Sequence, residues 1–95
     1  MSASSEPTDE AYVVLPADLH ARPAGQVTRA AAGYPARVFL SAGDRDEVDA
    51  RSVLAVMGLG AVAGQRVRVR AEGAEAAAAV AAVVTVLAAA EAVAG

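Results

Sequence analysis

Apolar and polar residues alternate most regularly in "QRVRVRA", where Val67, Val69 and Ala71 fall on one side and Arg66, Arg68 and Arg70 on the other. A period of two belongs to a strand with one buried and one wet face, as in antiparallel sheets covered by helices on one side only. "AYVVLPA" (11–17) is a second β-rich run, and Pro16 places its end at a sheet edge or strand terminus. "ARVFLSA" reads as a further strand, "GDRD" as a turn and "EVDA" as a short strand. Elsewhere the period lengthens. Ala24, Val27 and Ala31 recur at helical spacing within Ala21 to Ala32, and Gly33 supplies the stop. A short helix is predicted from Val53 to Met57, closed by Gly58 and Gly60. A last helix is predicted to begin near Ala74, with Val80, Val83, Val84 and Leu87 as the stripe that docks on the sheet. Glu91 falls on that stripe, so tight packing is expected to end before it, while Val86 and Val93 lie off it, either as a partner surface or, the preferred reading in so alanine-rich a helix, as incidental exposure. The order β-α-β-β-α-β-α describes an α+β fold, a four-stranded antiparallel sheet with helices on one face.

The arginine row has two readings, a tract for phosphate backbones or a solvated face answering Glu47 and Asp49 on a neighbouring strand. The second is preferred, because opposite charges across a sheet face stabilise it locally. Net charge points the same way: −3, with a pI near 4.9, argues against a nucleic-acid partner. Of the 95 residues 56% are hydrophobic but only 3% aromatic, so the core is expected to be built from small side chains. A chain of this length suits one domain with a modest core. The absence of cysteine excludes disulfides and thiolate metal sites and fits a reducing compartment.

"MSASSEPTDE" has neither the basic start nor the apolar stretch of a signal peptide. Its serines and acids predict a disordered lead-in over 1–10, ahead of a domain over 11–95. The uncharged run Ala76 to Ala90 is shorter than the roughly 20 residues a membrane span requires, and Glu75 and Glu91 bracket it. A surface helix is the better reading, and no membrane insertion is expected.

The chain's one histidine stands in "LHARPAG", between a strand and the helix that begins at about Ala21. Pro23 suits the first helical turn, whose N–H groups lack intrahelical partners anyway. His20 is therefore expected at or just before a helix N-terminus, beside the free amides of Ala21 and Arg22. Such a terminus favours anions by about 0.3–1 kcal/mol, and an imidazole offers a ring nitrogen whose lone pair can form a bond. A phosphoryl group received there would meet backbone donors and the Arg22 guanidinium. Three other readings stay open. A lone histidine is most often structural; a metal ligand would need carboxylates alone to complete the site; and hydrolysis would need Ser52 or Ser41 brought beside the ring.

"LHARPAG" resembles the active-site segment of the HPr family, the histidine-containing phosphocarriers of the bacterial phosphoenolpyruvate:sugar phosphotransferase system. "ARSVLAVMGLG" (50–60) is similar to that family's regulatory-serine helix and the loop after it. The resemblance spans about residues 12 to 93, with both motifs in the right order. It implies an open-faced β-sandwich and a phosphocarrier, a substrate of enzymes more than an enzyme. His20 matches the phosphorylated histidine, modified on Nδ1; Arg22 matches the arginine that stabilises the phosphoryl group; Ser52 matches a serine that an ATP-dependent kinase phosphorylates. Enzyme I would be the donor and enzyme IIA domains of sugar permeases the acceptors, with HPr kinase/phosphorylase acting on Ser52. A cytoplasmic monomer with no cofactor and no metal is implied. A carrier serving a nitrogen-regulatory or dihydroxyacetone-kinase relay, or a regulatory binding module, are the alternatives.

A relay needs a shallow site and an apolar docking surface beside the histidine. Val53, Leu54 and Met57 on the short helix are candidates, with Ala21 and Gln26 on the first helix; Val53 and Met57 have a competing reading as core. Ser52 stands where an N-cap belongs, so its hydroxyl has a structural role as well as the regulatory one. The family usually has glycine where this chain has Asp18. A carboxylate about 4 Å from a phosphoryl charge costs about 1 kcal/mol per unit charge in water; alternatively it points away. Ala17 stands where many members carry a small polar residue that helps cap the first helix, and the "SAGDRDE" turn has one additional residue.

Overall fold

In the computed structural model, residues 6–90 are described. Strand β1 (Thr8–Val14) leads to helix α1 (Ala21–Ala32), then β2 (Arg37–Ala42), β3 (Val48–Asp49), α2 (Val53–Gly58), β4 (Arg66–Glu72) and α3 (Ala76–Ala88). The element order agrees with the expected one, and all strand pairs are antiparallel, in the spatial order β1-β4-β2-β3.

The period of two in the sequence becomes rows across the sheet. Ala11, Val69 and Leu40 stand side by side on three strands, and so do Val13, Val67 and Ala42. These rows face the helices: Val38, Leu40, Ala42, Val67, Val69 and Ala71 are buried, and Ala11 and Val13 pack against them half-buried. Helix α3 lies over β1, β4 and β2, α1 lies beside α3, and α2 sits against α1 and β3. Val80, Val83 and Leu87 are buried as the stripe requires, joined by Ala76 and Ala79; Val84 is only half-buried, and Val86, expected as incidental surface, also packs half-buried against the core. On α1 the buried set is Pro23, Ala24, Val27 and Ala31. Alanine at so many contact positions keeps side-chain bulk low between the helices and the sheet. No helix among the described residues is long and apolar enough to cross a membrane.

Several boundaries differ from expectation, among them the end of β1, which stops at Val14 and not at Ala17. Strand β1 starts at Thr8, so residues 8–10 are paired strand and not part of a disordered lead-in. Thr8 to Glu10 pair with Glu72 to Arg70, the Pro7 carbonyl accepts from the Gly73 amide at 2.8 Å, and Arg37 bridges Glu6. The start of the predicted lead-in (1–5), Glu91 and Val93 lie outside the described residues. Helix α3 begins at Ala76, because Gly73 (φ 112°) and Glu75 (φ 64°) take left-handed conformations that turn the chain first. Only Val48 and Asp49 of "EVDA" are strand.

The outer face carries the arginines, and their partners are only partly those expected. Arg70 grips Glu47 with two hydrogen bonds, 2.7 Å from Nε and 2.8 Å from a terminal nitrogen, and also pairs with Glu72. To reach Glu47 it crosses β2, with its guanidinium over the Phe39 ring at 4.8 Å. Arg68 pairs with Glu10 at 2.7 Å, Arg37 joins Glu6 (3.2 Å) and Glu72 (3.0 Å), and Arg66 lies over Tyr12 at 4.6 Å. Asp49, expected to answer an arginine, accepts instead from the Arg51 amide at 2.8 Å. Strand β3 neighbours β2 and not β4, so a two-residue strand brings only Glu47, at its leading edge, within reach.

This network makes an acid-side prediction. Hydrogen bonding to Arg70 holds the Glu47 carboxyl below its ordinary 4.5, and bonds to Arg70 and then Arg37 do the same for Glu72. A carboxyl depressed in the folded chain stabilises it fully above the unfolded value and loses that contribution as pH falls through the folded value. The urea midpoint is expected to stay level down to about pH 5 and to fall below it, and Glu47→Gln to flatten that fall. A midpoint independent of pH between 3 and 7 would contradict the network's role.

Candidate functional site

Between the end of β1 and the start of α1 the chain alternates. Leu15, Ala17 and Leu19 are buried, while Pro16 and Asp18 are exposed. His20 follows in extended conformation (φ −89°, ψ −169°) as the N-cap of α1, and its carbonyl accepts the first helical bond, from the Ala24 amide at 3.0 Å. Pro23 occupies the third helical position, where it removes no intrahelical bond. The amides of Ala21 and Arg22 belong to the orphan donors of the first turn, no acidic side chain stands there, and no side chain caps the helix. Both residues are exposed.

The histidine itself is half-buried and lopsided. Its Nε2 is buried without a hydrogen-bond partner, and Nδ1 is not in that condition. The expected position at a helix N-terminus, beside two free amides and an exposed arginine, is the one observed.

The other candidates fall into place around α2. Ser52 is the N-cap of that helix, and its Oγ accepts from the Ala55 amide at 3.1 Å. The helix turns Val56 inward at 0% exposure and leaves Val53 (37%), Leu54 (82%) and Met57 (39%) outside. The core reading of Val53 and Met57 therefore does not hold. The helix that carries these three apolar side chains packs on α1, the helix that His20 opens, where Ala21 is exposed and Gln26 half-buried. Ser41 lies on β2 between the inward-facing Leu40 and Ala42, hence on the open face and away from the helix layer. It is not a partner for His20. Ser52, with its hydroxyl on its own helix, is placed as a cap.

Asp18 turns toward a segment that carried no sequence signal. Its Oδ1 accepts from the Ala63 amide at 2.8 Å, and the next amide, Leu19, donates to the Ala61 carbonyl at 2.9 Å. The loop 61–65 has neither helical nor strand periodicity; Gly60 just before it and Gly64 within it both have positive φ.

Fold and site together define an open-faced β-sandwich whose single histidine opens its first helix. The family described as "PTS HPr component phosphorylation site" matches residues 7–89. The chain belongs to this family, the HPr phosphocarriers of the phosphotransferase system. It is 42% identical over 86 residues to the phosphocarrier protein HPr of Haloferax volcanii, covering 88% of this chain and 97% of that one. Against the phosphocarrier protein HPr of Streptomyces coelicolor identity is 48% over 59 residues, 60% of this chain and 63% of the relative. The chain spans 63% of the length of that relative and 7% of the multiphosphoryl transfer protein of Xanthomonas campestris, with which it is 38% identical over 63 residues, or 66% of the chain. Among solved structures, HPr-C-His from Thermoanaerobacter tengcongensis superposes with a TM-score of 0.76 at 28% identity, covering 83% of this chain and 90% of that one.

The Ser52 cap yields a stability prediction. Ser52→Ala removes the acceptor for the Ala55 amide and is expected to cost about 1 kcal/mol, read as a lowered urea midpoint with unchanged slope. Ser52→Asp, whose side chain can also cap, is expected to recover most of that loss.

Proposed function

We propose that the protein carries a phosphoryl group on Nδ1 of His20, taking it from enzyme I and passing it to enzyme IIA domains of sugar permeases. The single observation that carries this reading is the histidine as N-cap, with Nε2 buried and two orphan amides and Arg22 ahead of it. Membership of the phosphocarrier family supports it.

In the forward step the Nδ1 lone pair forms the N–P bond while the bond between phosphorus and the donor's nitrogen breaks. The electron pair of that bond stays on the donor imidazole. Nδ1 serves as nucleophile when the ring proton is on the buried Nε2. The transferred group keeps its negative charge, and the amides of Ala21 and Arg22 and the Arg22 guanidinium are the donors that receive it. Donors on the surface also let the group go. A deep basic pocket would bind the phosphorylated state too tightly for a relay, since binding that favours an intermediate over both transfer states slows its release. Val53, Leu54, Met57, Ala21 and Gln26 are assigned to partner docking. Ser52 is assigned as a second, regulatory phosphorylation site for an ATP-dependent kinase; phosphate there would gain from the α2 dipole and place charge beside the docking side chains.

The test is phosphorylation by enzyme I and labelled phosphoenolpyruvate with magnesium. Acid-labile label is expected on the wild type and none on His20→Ala. Arg22→Ala is expected to accept label about tenfold more slowly, the loss of one charge-assisted hydrogen bond. No label on the wild type would refute the carrier function. Label delivered only to a nitrogen-regulatory or dihydroxyacetone-kinase acceptor would reassign the relay and keep the site.

A further inference from the structure

We propose that Asp18 is a positioning residue for His20, holding the segment that carries the histidine against the loop 61–65 through its bond to the Ala63 amide. The inference rests on the phosphocarrier reading of His20.

The last regular pair of the sheet at this end is Val14 with Arg66, and five residues separate Val14 from His20. Over that span its hydrogen bonds to other segments, among the described residues, go to the loop 61–65. At the near end Leu15 bonds the loop twice, its amide to the Gln65 carbonyl at 2.9 Å and its carbonyl from the Gly64 amide at 2.8 Å. At the far end the Leu19 amide reaches the Ala61 carbonyl at 2.9 Å. Pro16 has no N–H to add. The remaining bond between the two segments is Asp18 Oδ1 to the Ala63 amide, at 2.8 Å. It joins the middle of the loop to the residue two before the histidine.

The loop is shaped to present that amide. Gln65 folds it back on itself, donating its backbone N–H to the Val62 carbonyl at 3.0 Å and accepting from the Val62 amide on its side-chain oxygen at 3.2 Å. Ala63 lies between the two residues so joined, and its N–H is given to Asp18. Asp18 lies on the exposed side of the alternating segment, so it gains nothing from burial, and among the described residues no cation pairs with it. Its visible engagement is this charge-assisted bond.

A fixed His20 backbone matters because in-line transfer requires Nδ1, phosphorus and the partner's nitrogen to align. Small misplacement lowers the fraction of encounters that react without changing how tightly the partners dock. Two variants separate position from charge. Asp18→Ala removes the acceptor and the charge; Asp18→Asn removes the charge and keeps an oxygen for Ala63. In Asp18→Ala, we expect faster hydrogen exchange at the Ala63 amide. We also expect a saturating rate of phosphorylation by enzyme I about fivefold lower, the fold-change matching the net worth of one hydrogen bond, with half-saturation moved by less than about twofold. In Asp18→Asn, exchange and rate are expected to return to within about twofold of wild type. An unchanged saturating rate in Asp18→Ala would overturn the proposal, and so would an Asp18→Asn as slow as Asp18→Ala, which would assign the effect to charge. A wild type that accepts no phosphate fails differently: it removes the phosphocarrier reading itself, whatever the Asp18 variants do.

Discussion

Where Leu19 is held decides where α1 begins and, together with the Asp18 bond, where His20 stands. The Leu19 side chain is buried and its amide is given to the Ala61 carbonyl, so this residue can neither slide along the chain nor rotate outward. Leu15, Ala17 and Leu19 all face inward at a spacing of two, and a slip of one residue would exchange every inward and outward position, as in a strand. His20, next in line, would then be pulled into the core and Asp18 with it. With Leu19 fixed, the His20 carbonyl is in place to start α1, and the orphan amides of that turn project into solvent next to the imidazole. A hydrophobic constraint and a backbone bond thus prepare a polar site neither takes part in.

The parts of this arrangement that depend on near neighbours were readable in advance. Pro23 in the first turn, Gly33 beyond the last and the 3.6-residue period between them locate α1, and with it His20, from a dozen consecutive residues. The valines of β4 announce their face in the same way. What escaped depends on residues far apart. Thr8 to Glu10 look like a solvated tail, because an edge strand with a wet face carries few apolar residues, and only pairing with β4 makes them strand. The strand order β1-β4-β2-β3 decides that Arg70 meets Glu47 and that Asp49 turns to its own chain. Asp18 finds its partner 45 residues away, on a loop with no pattern of its own. In α2, six residues are too few for periodicity to choose a face; Val56 takes the core and Val53 and Met57 are displaced outward.

Stability and function are consequently divided between the two sides of the molecule. The sheet, with α3 laid across three of its strands, holds most of the large buried side chains, and its open face is occupied by arginines already committed to carboxylates and aromatic rings. Charges so engaged are poorly placed to recruit a partner. On the helical side, α2 contributes one buried residue, Val56, and turns three apolar side chains to solvent. A helix so weakly anchored depends on its cap for a large share of its persistence, since short helices are marginal without tertiary support. The Ser52 hydroxyl is therefore a sensitive point: it secures the N-terminus of the element that displays Val53, Leu54 and Met57. A substitution that removes that oxygen would loosen the helix end that carries all three. The side of the molecule that carries His20 is thus the one that can be altered locally, while the packed sheet behind it stays as it is.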